Sequence, residues 1–177
     1  MIRPWIAFFS QTGSEIVEVS KLLGRWPDCI VTNERSEHLR KIHPALENKH
    51  LVFVENKPTE EELSMVIGQY GNPLVTLHGW LRVMPPYICN RFEIYNGHPG
   101  LITKYPELKG KDPQQKAFDL GLEYSGCVIH KVTEGVDEGK ILLERKVYIK
   151  ELEIGELFTI LHSISVSLWV EFLKNKL

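Results

Sequence analysis

Short apolar runs of strand length alternate with stretches of helical periodicity along the first half of the chain, and this pattern constrains the fold most strongly. Strands that alternate with helices in this way form βαβ units around a parallel sheet. Ligands of such sheets bind beyond the carboxyl ends of the strands, which here means residues 10–15, 78–85 and 96–100. The apolar runs are residues 6–9, 29–32, 51–54 and 74–77, and the helical stripes start at Ile16 and Leu63.

The second half of the chain follows a different pattern. Residues 93–96 form a short predicted strand, and Asp112-Pro113 has the composition of a helix start. Residues 126–134 and 141–149 are two longer predicted strands around a glycine-containing turn, which indicates an antiparallel pair. A last helix is predicted over residues 154–173. We therefore expect residues 1–177 to form one α/β domain with a mostly parallel central sheet, flanking helices and an antiparallel C-terminal strand pair.

Composition excludes several classes of function. The net charge is −2 and the basic residues are scattered, so no basic stripe indicates a nucleic-acid partner. No apolar stretch approaches the roughly 20 residues that span a membrane, and the N-terminal apolar run is too short for a signal peptide. The three cysteines are far apart, and no histidine pair has metal-ligand spacing. We expect a cytoplasmic monomer or homodimer with no disulfide, metal, membrane or nucleic-acid partner.

The stretch from Tyr95 to Leu101 carries the most informative polar residues. Asn96 and His98 are expected directly after a strand, and residues two apart in an extended segment face the same side. An amide and an imidazole aimed at one point suit acyl transfer, because the amide donates to an oxyanion while the imidazole moves a proton or stabilises charge. Asp137, in the turn between the two long strands, is the expected partner, since a nearby carboxylate favours a charged imidazole.

Four segments, in this order, resemble the folate-dependent formyltransferases, and most closely those that act on glycinamide ribonucleotide. Gly13-Ser14 is similar to the substrate-phosphate loop of that family, and residues 79–85 are similar to its pterin-binding segment. Residues 96–101, followed by Lys104-Tyr105-Pro106, resemble its catalytic signature. Residues 125–139 resemble its folate loop, which ends in a catalytic aspartate.

The resemblance implies a Rossmann-like fold and transfer of a formyl group from 10-formyltetrahydrofolate to a primary amine, without a metal. The default acceptor is glycinamide ribonucleotide of purine biosynthesis. By the same resemblance, Asn96 and His98 stabilise the oxyanion, while Asp137 supports the histidine and a proton relay. The implied folate-binding residues are Leu81, Arg82, Val83, Met84, Thr133 and Val136, and the implied substrate-binding residues are Thr12, Gly13 and Ser14.

Three departures from the family pattern all concern the amine substrate. Gln11 and Glu15 stand where ribonucleotide-using relatives have a glycine and an asparagine. Residues 12–15 fit a capping box, which would engage Glu15 in capping the helix. Residues 164–169 lack the glutamate–histidine pair whose acid contacts the substrate ribose in relatives, and the chain stops soon after them.

These departures keep other functions open. One alternative is formylation of a nucleotide-linked amino sugar or another specialised amine, and another is hydrolysis of 10-formyltetrahydrofolate by water. A non-catalytic folate or nucleotide binder is disfavoured, because it does not need Asn96, His98 and Asp137 together. Transfer to initiator tRNA is disfavoured by the missing basic surface and further C-terminal domain. Of the other histidines, His130 is expected to be buried and structural, His78 is left without a role, and His38, His43, His50 and His162 are assigned to structural or surface positions.

Overall fold

The computed structural model describes residues 2–34 and 41–177, so the expectation for His38 lies outside the described residues. Within those residues, seven strands form one sheet in the order β3-β2-β1-β4-β5-β6-β7. The strands are β1 Trp5–Phe9, β2 Cys29–Thr32, β3 Leu51–Phe53, β4 Leu74–Leu77, β5 Glu93–His98, β6 Tyr124–Lys131 and β7 Ile141–Tyr148.

The sheet has a parallel part and an antiparallel part. β1 pairs in parallel with β2 and β4, β2 pairs in parallel with β3, and β4 with β5. β6 runs antiparallel to both β5 and β7. The predicted mostly parallel sheet with an antiparallel C-terminal pair is therefore confirmed. β1, β2 and β4 are buried along their whole length, which explains why their sequences are uninterrupted apolar runs.

Helices cover both faces of the sheet. One face carries α1, α4 and α5, and the other carries α2 and α3, each with its own apolar core. α3 was not predicted, because its six residues are too few to display a helical periodicity. Asp112 occupies the predicted N-cap of α4, but its side chain makes no capping hydrogen bond. The helices are α1 Ser14–Leu23, α2 Glu60–Gly68, α3 Pro86–Arg91, α4 Pro113–Asp119 and α5 Ile154–Lys176.

α5 is the one described helix that is long and apolar enough to cross a membrane. Its side chains Leu157, Leu161 and Trp169 are buried in the core beneath the sheet. Because the core helix of a globular protein has the same length and composition, α5 carries no argument for a membrane span. Its apolar stripe serves to pack against β5, β6 and α1.

Asn96 and His98 both belong to β5, so the strand predicted over residues 93–96 is two residues too short, and His98 ends the strand instead of following it. Asn96 lies opposite His130 of β6, and the main chain of β5 stays extended through His98. Gly97, between them, lies against α5: a Cβ added there would be 2.6 Å from Trp169 Nε1. Because Trp169 is fully buried, its ring has little room to move. The close approach of α5 to β5 therefore requires glycine between the two polar residues.

We expect Gly97→Ala to lower the free energy of unfolding by about 1–3 kcal/mol, because the added methyl group overpacks the contact with Trp169. Gly155→Ala is the matched control, since a Cβ at Gly155 would have no atom within 4 Å. Alanine favours a helix over glycine by about 1 kcal/mol, so this control should keep or raise the stability. Urea unfolding followed by circular dichroism measures both variants. Equal stability of Gly97→Ala and the wild type would mean that α5 can move away from β5.

Candidate active site

The end of β5 and the loop after β6 bring Asn96, His98 and Asp137 together. His98 Nδ1 lies 3.3 Å from Asp137 Oδ2, and Asn96 Nδ2 lies 3.4 Å from Asp137 Oδ1. Both contacts lie at the carboxyl end of β5, where a parallel sheet offers its ligand site. The three residues singled out in the sequence thus form one cluster, although Asp137 is 41 positions beyond Asn96.

His130 of β6 completes this group, and the sequence did not predict its place there. Its Nε2 lies 3.2 Å from Asp137 Oδ1 and 3.3 Å from Asn96 Nδ2, and its Nδ1 lies 3.0 Å from the carbonyl oxygen of Lys131. His130 is buried, as expected, but it faces the site because the register of β6 sets it opposite Asn96. We call Asn96, His98, His130 and Asp137 the polar cluster.

The main chain between β5 and α4 fixes two members of the polar cluster. His98 Nε2 donates to the carbonyl oxygen of Leu108 at 2.7 Å, which leaves Nδ1 facing Asp137. The N–H of Gly110 donates to Asp137 Oδ2 at 2.8 Å. Asp137 has φ of +53°, a left-handed conformation that residues with a side chain rarely adopt. The carboxylate is held by His130, by the amide of Asn96 and by this N–H, and these contacts stabilise the unusual backbone.

Burial and charge set the protonation states in the polar cluster. Burial raises the pKa of Asp137, but the hydrogen bond from His130, the charge of His98 and the N–H of Gly110 outweigh it and lower that pKa to about 2. Burial lowers the pKa of His98 below its ordinary value, and the opposing charge of Asp137 restores only part of the shift. At neutral pH an ionised carboxylate therefore lies beside a neutral His98 with hydrogen on Nε2 and a lone pair on Nδ1.

A cavity of about 540 Å³ opens beside the polar cluster, and all four residues of the cluster line it. Leu81, Val83 and Val136 line this larger cavity and are 50%, 68% and 52% exposed, so they form an unfilled apolar wall. Every residue predicted to bind folate lines the same cavity: Leu81, Arg82, Val83, Met84, Thr133 and Val136.

The guanidinium group of Arg82 is already engaged by the protein. Its Nε donates to the carbonyl oxygen of Asn56 at 2.7 Å, and its Nη2 donates to Asn56 Oδ1 at 2.6 Å. The side chain therefore ties residues 81–83 to the segment that follows β3. This tie shapes the wall of the larger cavity.

A smaller cavity of about 230 Å³ adjoins the larger one, and the two share Gly97 and Pro99. The predicted substrate-binding residues Thr12, Gly13 and Ser14 line it. All four members of the polar cluster line the larger cavity, and Gly97 and Pro99, which alternate with Asn96 and His98 along the chain, line both cavities. The larger cavity has an apolar wall, and the smaller one lies next to the N-terminus of α1. Two cavities that meet at a reactive centre suit a reaction between two substrates.

Glu15 does not cap α1, so the capping box predicted for residues 12–15 is wrong. The N-cap is Gly13, whose φ of +72° is readily adopted by glycine, and it makes no side-chain capping bond. Glu15 instead pairs with His78, with Oε1 2.8 Å from Nδ1, and both residues line the smaller cavity. Burial raises the pKa of Glu15, but the hydrogen bond and charge of His78 outweigh it, so this pKa lies below its ordinary value.

α5 closes the smaller cavity on the side where the expected glutamate–histidine pair is absent. Phe158, Leu161, His162 and Ser165 line it from this helix. Phe158 is 45% exposed and borders both cavities. Within residues 2–34 and 41–177, no three histidine, cysteine or acidic side chains are grouped so that they could hold a metal ion.

Residues 10–161, which include every member of the polar cluster, match the formyl transferase family. The chain belongs to this family. Among curated proteins, this formyl transferase chain is 30% identical to methionyl-tRNA formyltransferase of Thermosipho melanesiensis over 175 residues, which cover 96% of the chain and 54% of that protein. It is also 30% identical to phosphoribosylglycinamide formyltransferase of Haemophilus influenzae over 128 residues, which cover 68% of the chain and 59% of that protein.

The fold of the chain is also found in solved formyl transferase structures. Phosphoribosylglycinamide formyltransferase of Streptococcus pneumoniae superimposes with a TM-score of 0.83, at 22% identity and over 98% of both chains. This likeness shows the shared fold, including the seven-stranded mixed sheet of the described residues. The formyl transferase chain spans little more than half the length of the two curated relatives, whose names give different acceptors.

Proposed function

We propose that this chain transfers a formyl group from 10-formyltetrahydrofolate to the primary amine of a small molecule. The observation that carries the proposal is that the polar cluster lines the larger cavity next to Gly97 and Pro99, which line both cavities. A formyl donor in the larger cavity and an amine in the smaller one would meet at Asn96 and His98. Family membership supports the reaction type, and the geometry supports the assignment of residues to roles.

The larger cavity fits the folate donor. Its volume of about 540 Å³ is within the range of cofactor and ligand sites. Leu81, Val83 and Val136 would contact the faces of the pterin ring, and the main chain near Arg82 and Thr133 would hydrogen-bond its polar edge. When bound, the donor supplies a formyl carbon that is open to attack by an amine.

Asn96 would stabilise the negative charge that develops on the formyl oxygen. Its Nδ2 donates to Asp137 Oδ1 at 3.4 Å and lies 3.3 Å from His130 Nε2. These contacts are long, so the amide can turn one N–H to an incoming oxygen at little cost. A hydrogen-bond donor to the oxyanion commonly accelerates acyl transfer by about 10²–10³-fold.

His98 would move the proton of the attacking amine. Because Nε2 is committed to the carbonyl of Leu108, Nδ1 is the nitrogen that accepts this proton. The resulting imidazolium then places positive charge beside the developing oxyanion and returns its proton to the departing nitrogen of the donor. The new C–N bond forms at the amine while the old C–N bond breaks, so no proton is gained or lost overall.

Asp137 would stabilise the imidazolium form of His98. Its carboxylate is ionised at neutral pH and lies 3.3 Å from Nδ1 of His98. The N–H of Gly110 and His130 hold the carboxylate in place, so it does not reorganise during the reaction. His130 acts through Asp137 and is therefore a positioning residue.

Glycinamide ribonucleotide is the first acceptor to test, because relatives with this fold are named for it. The altered residues Gln11 and Glu15 and the changed α5 also favour a test of nucleotide-linked amino sugars. The smaller cavity, which we call the acceptor cavity, has a volume of about 230 Å³. This small volume supports a small-molecule amine over a nucleic acid as the acceptor. The three described cysteines are free, buried thiols, which supports a reducing, cytoplasmic location.

The test is release of tetrahydrofolate from 10-formyltetrahydrofolate, followed by absorbance, with glycinamide ribonucleotide, with amino-sugar nucleotides and with no added amine. Acceptor-dependent release supports the proposal and identifies the amine. Equal release without an amine would replace it with hydrolysis, and a complete lack of release with every amine would contradict it.

Asn96→Ala should lower the acceptor-dependent rate by about 10²–10³-fold, because the formyl oxygen loses its donor. Asn90→Ala is the matched control, since Asn90 is exposed on α3 and lines neither cavity. The same absorbance assay measures both variants. Similar rates for the two would remove Asn96 from the reacting centre.

A further inference from the structure

The acceptor cavity carries a fixed acidic group that the transfer reaction itself does not use. Glu15 Oε1 lies 2.8 Å from His78 Nδ1, and His78 Nε2 lies 2.9 Å from Thr76 Oγ1. Thr76 Oγ1 in turn accepts a hydrogen bond from Trp5 Nε1 at 2.8 Å. A chain of hydrogen bonds therefore runs from the core beneath β1 and β4 to the wall of the smaller cavity.

This chain holds Glu15 in one position. The side chain of His78 is fully buried, and Trp5 and Thr76 are also fully buried, so none of the three has room to reorient. The side chain of Glu15 is 19% exposed, and the open part belongs to the cavity wall. Because a carboxylate only accepts hydrogen bonds, Nδ1 of His78 must carry hydrogen toward it.

Glu15 places a fixed carboxylate in the wall of the acceptor cavity. Its pKa lies below the ordinary value, so the carboxylate is ionised at neutral pH. It lies in the first turn of α1, where the helix dipole favours a negative group and Glu15 already provides one. Among residues 2–34 and 41–177, no lysine or arginine lines this cavity; the titratable nitrogen groups in its wall are His78, which bonds to Glu15, and His162, which bonds to Glu18. An anionic group placed here would meet a fixed negative charge at short range.

The other side chains that line the acceptor cavity can bind the hydroxyl groups of an acceptor. Thr12 and Ser14 offer hydroxyls, and Gln11 and Gln114 offer amides, all of which both donate and accept hydrogen bonds. Phe158 presents an exposed ring beside them, and an aromatic face next to polar groups suits the apolar face of a sugar ring. A carboxylate completes such a site because it accepts hydrogen bonds from neighbouring hydroxyls.

We propose that Glu15, fixed by His78, makes the acceptor cavity selective for amines in which the part far from the reacting nitrogen carries hydroxyl groups and no phosphate. This inference rests on the proposed transfer to an amine in the smaller cavity. It makes Glu15 a specificity-determining residue, because its charge lies where the distal part of the acceptor binds.

A matched pair of acceptors tests the selection. Glycinamide ribonucleotide and the phosphate-free glycinamide riboside have the same amine and the same sugar and differ in the phosphate. The wild-type protein should use the riboside with a kcat/KM at least about tenfold higher, since one unscreened like charge readily costs one decade. Glu15→Gln keeps a hydrogen-bond acceptor for His78 and removes the charge, so it should raise kcat/KM for the ribonucleotide by about tenfold or more, mainly through a lower KM.

Glu61→Gln is the control for this experiment. Glu61 lies in the first turn of α2 on the other face of the sheet, is exposed and lines neither cavity, so loss of its charge should leave the ratio of the two kcat/KM values unchanged. Glu15→Asn serves as a second variant if Glu15→Gln fails to fold. A wild-type preference for the ribonucleotide, or an unchanged ratio in the Glu15 variants, would overturn the inference.

Binding of inorganic phosphate separates failure of this inference from failure of the proposed function. Isothermal titration calorimetry should detect no phosphate binding to the wild type at about 10 mM and should detect binding to Glu15→Gln, whose helix N-terminus then has free N–H donors and no opposing charge. This result would support the inference even if neither acceptor were formylated. Equal phosphate binding to both proteins would overturn it, even if formyl transfer were established.

Discussion

His98→Ala is expected to lower kcat for formyl transfer by about 10²–10⁴-fold, with little change in the KM of the folate donor. The variant removes the nitrogen that accepts the proton of the amine, whereas the apolar wall that binds the donor stays intact. The KM should hold because Leu81, Val83 and Val136, and not His98, form that wall. Steady-state kinetics with the acceptor identified by the absorbance assay gives both constants.

His50→Ala is the matched control for this variant. His50 is exposed and precedes β3 at the opposite edge of the sheet from the polar cluster, where it contacts the carbonyl of Asp28 and the hydroxyl of Tyr70. Its kcat should equal that of the wild type. Near-UV circular dichroism checks that His98→Ala keeps its tertiary packing, because the variant also loses the bond to Leu108. A folded His98→Ala protein with kcat within about threefold of the wild type would exclude His98 as the proton carrier.

Asp137→Asn is expected to lower kcat by about 10²–10⁴-fold, because an amide cannot stabilise the imidazolium form of His98. The amide also cannot accept hydrogen bonds at both of its polar atoms, so either the N–H of Gly110 or the contact with His130 is lost. Asp119→Asn is the control, since Asp119 is exposed at the end of α4 and accepts only from Gln115 among the described contacts. A kcat close to that of the control would show that the carboxylate plays no part in the reaction.

The pH dependence of these proteins provides a second readout. In the wild type, burial lowers the pKa of His98 below 6.5 while Asp137 raises it again in part, so the acid limb of kcat/KM should lie below pH 6.5. Asp137→Asn removes the raising contribution and should shift the limb of its residual activity to still lower pH. A limb that moves to higher pH would contradict the assignment of His98 as a base assisted by Asp137.

Low pH should also destabilise the folded wild type, because the carboxylate of Asp137 becomes protonated. Its folded pKa of about 2 lies below the ordinary value of 3.8, so the carboxylate stabilises the fold above about pH 4 and this contribution is lost as the pH falls toward 2. The lost contribution is on the order of 2 kcal/mol for a shift of nearly two pKa units. Asp137→Asn should lack this part of the acid dependence, which urea unfolding at several pH values measures.

The sequence predicted the roles of some residues in the candidate site and misassigned others. Asn96 and His98 could be found because they are two polar residues close together next to an apolar strand, and both lie in the polar cluster. His130 was assigned a structural role, because an imidazole inside an apolar strand carries no sign of the residue that lies opposite it. Glu15 was assigned to a helix cap because local spacing fits one, whereas its actual partner, His78, is 63 positions away. Patterns within a short stretch of sequence cannot reveal a partner that lies so far along the chain.

What the sequence by itself determined is the alternation of buried strands and amphipathic helices, the mixed sheet, and the polar residues that end β5. Hydrophobic periodicity is a local property, and each strand and most helices carry it within their own residues. The tertiary structure alone decided the register of β6 against β5, the approach of α5 to Gly97, and the pairing of Glu15 with His78. These depend on contacts between distant segments, whose distances and burial set the charge and hydrogen bonds of both cavities.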